Sequence, residues 1–246
     1  MARKVPVSHK RDKGPPTPNF GKFSHMLHDK SLDKATFDLE KVDDQHGGVG
    51  MKMTFVSEIL EDLQRLEQRE TKDKIFSDGT VIYMNQNVFF GIVFNLDVIV
   101  FELYSILDYF AVELAQIFGL KVKRRGETKD VNRSIDFIQL KGSKDLDPRI
   151  AKRVDLLIGE KWFDYFHRLR NRVTHRLPVN LGSLVRTQDD KIAAIEFPFL
   201  PDNPDEIAST FERRLNPANE AKKWLEGIFS FIDGVCGELI ILFSSS

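Results

Sequence analysis

A long apolar segment without proline constrains the fold of this chain more than any other feature. It runs from about Asn85 to Phe118 and contains a single glycine, Gly91. Its polar residues fall in one stripe at roughly 100° per residue, as on a helix that is apolar around most of its circumference. That stripe contains Asn95, Glu102, Ser105, Glu113 and Gln116, with Asp108 beyond one edge. Because such a helix is covered by neighbours on most sides, the sequence predicts the central helix of a bundle.

Further segments carry the signals of helices that would surround this centre. They are about 54–72, 161–176 and 217–243, with shorter ones at 131–140 and 148–158. Asp147 and Pro148 supply an N-cap and a first-turn proline to the segment 148–158. Residues 183–199 alternate weakly around Gln188-Asp189-Asp190, which indicates a β-hairpin. We therefore expect an all-α helical bundle of four to five main helices with a small β-hairpin insertion.

The first fifty residues differ in composition from the rest of the chain. Residues 1–22 hold six lysines and arginines, one acidic residue and four prolines. The polar stretch ends in His46-Gly47-Gly48-Val49-Gly50, which indicates a flexible break. We therefore expect a basic, largely disordered extension over residues 1–50 and one helical domain over residues 51–246.

Charge and cysteine content exclude several classes of protein. The 36 basic residues nearly cancel the 37 acidic ones, which argues against a strongly basic nucleic-acid coat but allows local basic patches. Cys236 is the only cysteine, so neither a disulfide framework nor a cysteine zinc cluster can form within one chain. The most apolar runs, Val88–Phe94 and Val98–Phe101, fall short of the ~20 apolar residues of a membrane span. With no secretory signal, a cytoplasmic protein outside the membrane is expected.

The stretch from Arg168 to Arg176 concentrates side chains that can handle a phosphate and a proton. Arg168, Arg170, Arg172, Arg176 and His175 fall within nine residues. Arginine offers a planar fork of donors to phosphate oxygens, and histidine has an unperturbed pKa near physiological pH. Phosphodiester cleavage needs both functions. The alternative is a solvated arginine-rich helix face, as most runs of charge are.

Helical spacing separates these residues into two groups. His175 lies four residues after Asn171 and three after Arg172, so the three share one face, opposite the core stripe around Leu169. This geometry keeps His175 out of the core. It places Arg170 on the border of the core, roughly 140° around the helix from His175. A site that uses both groups requires Arg170 to reach around the helix, or other elements or a second chain to complete it.

The order Arg170-Asn171-x-x-x-His175 at the end of a late helix resembles the Arg-x(4–6)-His signature of the HEPN superfamily, the higher eukaryotes and prokaryotes nucleotide-binding domains. In that superfamily a polar residue, often Asn, follows the arginine. Glu102-Leu-Tyr-Ser105-Ile-Leu-Asp108 is similar to the acidic and Ser-x-x-Asp pattern on an earlier helix of some HEPN families. The resemblance spans about residues 85–243, and the 183–204 insertion and the basic tail depart from it.

The resemblance implies a homodimer whose two motifs meet across a cleft and cut RNA without a metal or other cofactor. Arg170 would bind the scissile phosphate, His175 would be the acid–base group, and Asn171 would orient the site. The RNA 2′-hydroxyl would attack its own phosphate and leave a 2′,3′-cyclic end. A toxin or antiviral defence effector, held by an antitoxin or regulatory protein, would be the matching role. Since some members only bind or dimerise, a non-catalytic dimerisation or nucleotide/RNA-binding module is the alternative.

Other polar residues are assigned around this motif. Glu102, Ser105 and Asp108 are expected to be supporting polar groups. Asp108 would pair with an arginine of the motif helix, although paired carboxylates for a metal are an alternative. The expected RNA contacts are Arg168, Arg172, Arg176, Lys123, Arg124 and Arg125.

The last three of these lie in a basic loop, Lys121–Arg125, and a solvated loop is the alternative there. If the loop binds RNA, binding should weaken steeply with salt. His25-x-x-His28 has a spacing that two metal ligands could use, but no third ligand is evident, so no metal is expected. His9, His46 and His167 are isolated in the sequence.

Overall fold

Six α-helices dominate the residues that the computed structural model describes, which are 17–29, 37–68, 86–124, 127–130, 136–175, 179, 181–188, 191–206 and 210–244. The helices are α1 Pro18–His28, α2 Leu39–Gln68, α3 Gln86–Ile117, α4 Pro148–Gly159, α5 Lys161–Thr174 and α6 Pro217–Ser244, with a short 3-10 helix at Phe137–Leu140. Two antiparallel strand pairs join β1 Lys121–Arg124 to β2 Glu127–Asp130, and β3 Gly182–Gln188 to β4 Lys191–Phe199. The all-α helical bundle is confirmed, with six helices in place of four to five.

Helix α3 lies at the centre of the bundle, as its apolar circumference predicts. Helix α2 packs along it, and α5 and α6 cover further sides. The Tyr104 ring of α3 lies 6.1 Å from the Phe166 ring of α5. The Phe110 ring lies 6.2 Å from the Phe231 ring of α6, edge to face. The core of the molecule is therefore built from aromatic and branched side chains around α3.

Helices α3 and α6 are longer apolar segments than the runs Val88–Phe94 and Val98–Phe101 indicate. By length and composition alone, α3 and α6 could each cross a membrane. Their most apolar windows are 44% and 39% buried inside the bundle, respectively. Core helices of soluble proteins pass the same test, so this finding is weak evidence for a membrane span.

The N-terminal part of the bundle begins earlier than expected. Helix α1 and the start of α2 fall within residues 1–50, and the boundary expected at residue 51 lies inside α2. The prediction of a break at Gly47–Gly50 is wrong because α2 continues through it. A glycine inside a helix costs about 1 kcal/mol relative to alanine. Burial of Val42 and Val49 in the core offsets that cost. Residues 1–16 lie outside the described residues.

Helix α1 is attached to the bundle by a carboxylate of α6. The backbone N–H groups of Asn19 and Phe20 donate to Oδ1 of Asp233 at 2.7 and 3.0 Å. The Asn19 side-chain amide donates to Oδ2 of the same residue at 3.0 Å. These bonds satisfy backbone donors in the first turn of α1 that have no partner within the helix, and they place a negative charge at its N-terminus.

A buried histidine–glutamate pair supports the same attachment. His46 of α2 and Glu113 of α3 are almost fully buried, and His46 Nδ1 lies 2.9 Å from Glu113 Oε1. The His46 ring stacks on the Phe20 ring of α1 at 3.9 Å, and its Nε2 lies 3.3 Å from the Phe20 carbonyl oxygen. The pair therefore joins three helices at one point in the core.

The pair holds a proton more tightly than its members do in water. Burial by itself lowers the pKa of His46, but the charge and hydrogen bond of Glu113 outweigh it, so the pKa is raised. Burial raises the pKa of Glu113, and His46 only partly opposes this. Both shifts make the folded chain retain a proton that the unfolded chain releases at lower pH.

We expect the free energy of unfolding to fall as the pH rises from about 6.5 to about 7.5, because the unfolded chain binds fewer protons than the folded one in this range. Glu113→Gln should reverse this slope, since burial then lowers the pKa of His46 and the unfolded chain binds more protons than the folded one in this range. Urea denaturation across this pH range measures the slope. Glu58→Gln, at an exposed position of the same helix as His46, is the control. A wild-type slope in Glu113→Gln would contradict this account.

Candidate functional site

Helix α5 presents an apolar face to the bundle and its polar motif to the other side. Phe166 and Leu169 are fully buried, as the predicted core stripe requires. Trp162, from the same stripe, packs on Gly227 of α6, where a Cβ atom would lie 2.5 Å from the indole ring. Because no larger residue fits at Gly227 without movement, α5 and α6 approach closely there. This packing sets the direction in which the motif faces.

The Arg170 guanidinium is held at the border of the core by three groups. It lies over the Tyr104 ring of α3, 4.2 Å from the ring centroid. Its Nη2 lies 3.9 Å from Asp108 Oδ2, and its Nη1 donates to Asn171 Oδ1 at 3.1 Å. The Arg170 side chain is still 21% exposed. The predicted pairing of Asp108 with an arginine of the motif helix is confirmed.

His175 occupies the C-cap of α5 and faces outward. Its backbone N–H donates to the Asn171 carbonyl at 3.1 Å, and its side chain is exposed. Among the described residues, no hydrogen bond or ion pair engages the imidazole, and none joins it to Arg170. The prediction that His175 lies outside the core is confirmed. Arg170 and His175 therefore belong to one helix but face different surroundings within one chain.

Asp108 lies in an environment that disfavours its charged form. Burial raises the pKa of Asp108 to about 6; the neighbouring Asp136 carboxylate adds to the rise, and Arg170 opposes it. The Phe137 backbone N–H donates to its Oδ1 at 2.9 Å and also lowers the pKa. The Tyr104 hydroxyl donates to Asp136 Oδ1 at 3.0 Å, and burial followed by the Asp136 charge raises the pKa of Tyr104. Asp108 thus changes charge close to neutral pH.

His167, which is isolated in the sequence, belongs to this cluster in the structure. Its Nε2 lies 3.2 Å from the Asn171 side-chain nitrogen, and its ring lies 5.5 Å from the Tyr104 ring. Burial is the main reason why the pKa of His167 is lowered. Its position four residues before Asn171 was the signal that could have revealed it, since residues at that spacing share a helix face.

Glu102 and Ser105 do not join Asp108 at Arg170. Glu102 turns toward α2, where Lys52 Nζ donates to its Oε2 at 2.5 Å. Asp108 follows Glu102 by six positions, which corresponds to roughly 240° around a helix, so the two carboxylates face different neighbours. Ser105 is half-buried on α3. The structure therefore brings only Asp108 of these three to the motif helix.

Two of the arginines expected to bind RNA are engaged by the segment between β4 and α6. Arg168 Nε donates to Asp205 Oδ2 at 2.5 Å, and its guanidinium also contacts Asn203. Arg172 Nη1 donates to the Pro204 carbonyl at 2.6 Å and to the Glu206 carbonyl at 3.0 Å. Intramolecular partners therefore occupy several donors that a phosphate would use.

The remaining expected RNA contacts are less defined. Lys123 and Arg124 lie on β1, so this part of the predicted basic loop is a strand. Arg125 and Arg176 lie outside the described residues. For metals, no group of three or more His, Cys, Asp or Glu side chains within the described ranges could hold an ion. His28 Nδ1 lies 3.6 Å from Asp43 Oδ2, and both His25 and His28 are exposed.

No family model, curated protein or solved structure matches this chain. The candidate site is therefore defined by the geometry of its own residues.

We expect Asp108 to titrate with a midpoint near pH 6, because burial and Asp136 disfavour its ionised form. Arg170→Gln should raise that midpoint further, since the guanidinium that stabilises the carboxylate is lost. Arg172→Gln, whose guanidinium contacts the segment after β4, should leave it unchanged. Carboxyl-carbon NMR measures the midpoint. A value close to the ordinary ~3.9 of aspartate in the wild type would refute the assigned environment.

Proposed function

We propose that the protein is a metal-independent endoribonuclease of the HEPN type in which Arg170 and His175 act on the RNA phosphodiester. The observation that carries the proposal is the arrangement of α5. A guanidinium is fixed by Tyr104, Asp108 and Asn171, and the exposed His175 imidazole at the end of the same helix is not engaged by any described residue. A fixed cation and a mobile proton carrier are the two groups that phosphodiester cleavage requires.

The proposed chemistry is an internal transesterification. The 2′-oxygen forms a bond to the adjacent phosphorus, and the bond from that phosphorus to the 5′-oxygen breaks. Neutral His175 accepts the proton of the 2′-hydroxyl, and the departing 5′-oxygen receives a proton from His175 of a second copy. Arg170 stabilises the charge that develops on the non-bridging oxygens. The products are a 2′,3′-cyclic phosphate and a free 5′-hydroxyl.

A second copy of the chain is part of the proposal because Arg170 and His175 are not joined within one chain. An exposed aromatic stripe on α3 supports association next to the site. Phe90, Phe94 and Phe101 are 62%, 67% and 50% exposed. Spacings of four and seven residues place them on one helix face, and Asp108 follows Phe101 after seven more. A cytoplasmic toxin or defence effector, restrained by a regulatory protein, is the proposed role.

The test is incubation of purified protein with RNA in EDTA. We expect cleavage that leaves 2′,3′-cyclic ends, and a loss of about 10²–10⁴-fold in rate for His175→Ala, as removal of an acid–base group produces. Arg170→Ala should lose a comparable factor. His25→Ala removes another exposed histidine, in α1, and should cleave like the wild type. Intact RNA with the wild type, or undiminished cleavage by His175→Ala, would remove the proposal.

A non-catalytic dimerisation or RNA-binding module is the second candidate. The observation that favours it is the engagement of the arginines. Asp108 already faces Arg170, and the segment after β4 occupies donors of Arg168 and Arg172. The exposed aromatic stripe of α3 would then be the functional surface, and the motif would contribute only to association or ligand affinity.

Under this second candidate, RNA stays intact while self-association depends on α3. We expect Phe94→Glu to convert a dimer to a monomer in analytical ultracentrifugation, because a charge replaces an apolar contact. Leu156→Glu, at an exposed apolar position of α4, is the control and should leave the dimer unchanged. Association that persists in Phe94→Glu would show that α3 does not form the interface.

A further inference from the structure

The side chains of His167, Asn171 and Arg170 on α5 form a hydrogen-bonded network that ends at the Arg170 guanidinium. His167 Nε2 lies 3.2 Å from Asn171 Nδ2, and Arg170 Nη1 donates to Asn171 Oδ1 at 3.1 Å. The Asn171 amide therefore lies between the imidazole and the guanidinium. His167 and Arg170 contact opposite ends of one rigid planar group, so a change at one end affects the other.

The donor and acceptor roles in this hydrogen-bonded network follow from Arg170. A guanidinium has donors only, so the Asn171 atom that faces it must be the carbonyl oxygen. The NH₂ group of Asn171 then faces His167. Because that group only donates, His167 Nε2 must carry a lone pair and the imidazole must be neutral. The arrangement is therefore compatible with only one of the three protonation states of His167.

In that state the ring proton is on Nδ1. This atom is buried and has no hydrogen-bond partner among the described residues. An unpartnered buried donor is costly, so something else in the structure must compensate for it. The imidazole is stacked on the Phe163 ring at 6.5 Å and lies 5.5 Å from the Tyr104 ring. Packing between aromatic rings and the bond from Asn171 keep His167 in place.

We propose that His167 is a positioning residue, whose neutral imidazole orients the Asn171 amide so that the amide oxygen holds Arg170 toward the phosphate. When His167 gains a proton, both ring nitrogens become donors, and Nε2–H then opposes the Asn171 NH₂ group. The amide loses its partner and turns, which removes its oxygen from Arg170. The inference gives the proposed ribonuclease site an acid-sensitive control and rests on that function for its catalytic consequence.

The charged and titratable groups around His167 come from three elements. Tyr104 of α3 lies next to the imidazole ring, Asp108 of α3 contacts Arg170, and Asp136 precedes the 3-10 helix. Asp164 and Arg170 lie on α5 itself. Burial lowers the pKa of His167 and Arg170 lowers it further, whereas Asp136 and Asp164 raise it. The net shift is downward, so His167 is neutral at pH 7 and gains its proton only in acid.

Two substitutions separate positioning from simple packing. His167→Phe keeps an aromatic ring between Phe163 and Tyr104 but cannot accept from Asn171. His167→Gln supplies an amide oxygen that can accept from Asn171 and does not titrate. We expect His167→Phe to lose about tenfold to a hundredfold in cleavage rate at pH 7.5, and His167→Gln to restore part of that loss. Circular dichroism checks that both variants fold.

The pH profile provides the decisive comparison. Asp108 also gains a proton near pH 6, so wild type and His167→Gln share the acid limb that belongs to Asp108. Only the wild type loses further cleavage rate in acid because His167 gains a proton. The ratio of the His167→Gln rate to the wild-type rate should therefore rise as the pH falls from about 7.5 to about 5. An equal ratio at both values would overturn the proposal, as would a His167→Phe variant that folds and cleaves at the wild-type rate.

A measurement without RNA separates this inference from the proposed function. Long-range nitrogen–proton NMR on the wild type should show His167 as the neutral tautomer with its proton on Nδ1. The side-chain signals of Asn171 and Arg170 should shift as His167 titrates. If these signals stay fixed, or if the proton is on Nε2 at neutral pH, the inference is overturned even where RNA is cleaved. If RNA stays intact but the signals shift, only the proposed ribonuclease activity fails.

Discussion

Helix α3 carries apolar side chains around most of its circumference, and burying them requires packing against α2, α5 and α6 at the same time. Each contact removes apolar area from water and stabilises the fold by roughly 25 cal/mol per Å². The requirement places α5 with its apolar face inward, because Phe166 and Leu169 must reach this core. Arg170, one residue beyond Leu169, is thereby brought onto the Tyr104 ring. The candidate site thus follows from the burial of α3.

The carboxylates of α3 determine how the surrounding elements attach to it. Each accepts a hydrogen bond from, or forms an ion pair with, a residue outside α3. The pairs are Asp97 with the Val179 N–H, Glu102 with Lys52, Asp108 with the Phe137 N–H and Arg170, and Glu113 with His46. Polar groups that leave water must find such partners, so these contacts fix position as well as contribute energy. One helix therefore positions both the N-terminal helix and the candidate site.

The predicted helices were accessible from sequence because they depend on local spacing. Asp147 at an N-cap and Pro148 in the first turn are local signals, and the Asp147 side chain accepts from the Arg149 N–H as expected. The break at Gly47–Gly50 was wrong because glycine propensity is weaker than the packing that α2 gains from α1 and α3. His46 looked isolated, since its partner Glu113 is remote in sequence and only folding brings the two together.

The pattern of residues along the chain was enough to predict an all-α bundle, a central helix, and a motif helix with His175 outside the core and Arg170 at its border. Periodicity carries that information, because the angle between residues of one helix is set by the backbone. Tertiary packing established what surrounds Arg170, which donors of Arg168 and Arg172 are occupied, and that the His167 ring lies next to the Tyr104 ring. These contacts depend on distances between elements far apart along the chain, which no spacing within one helix can specify.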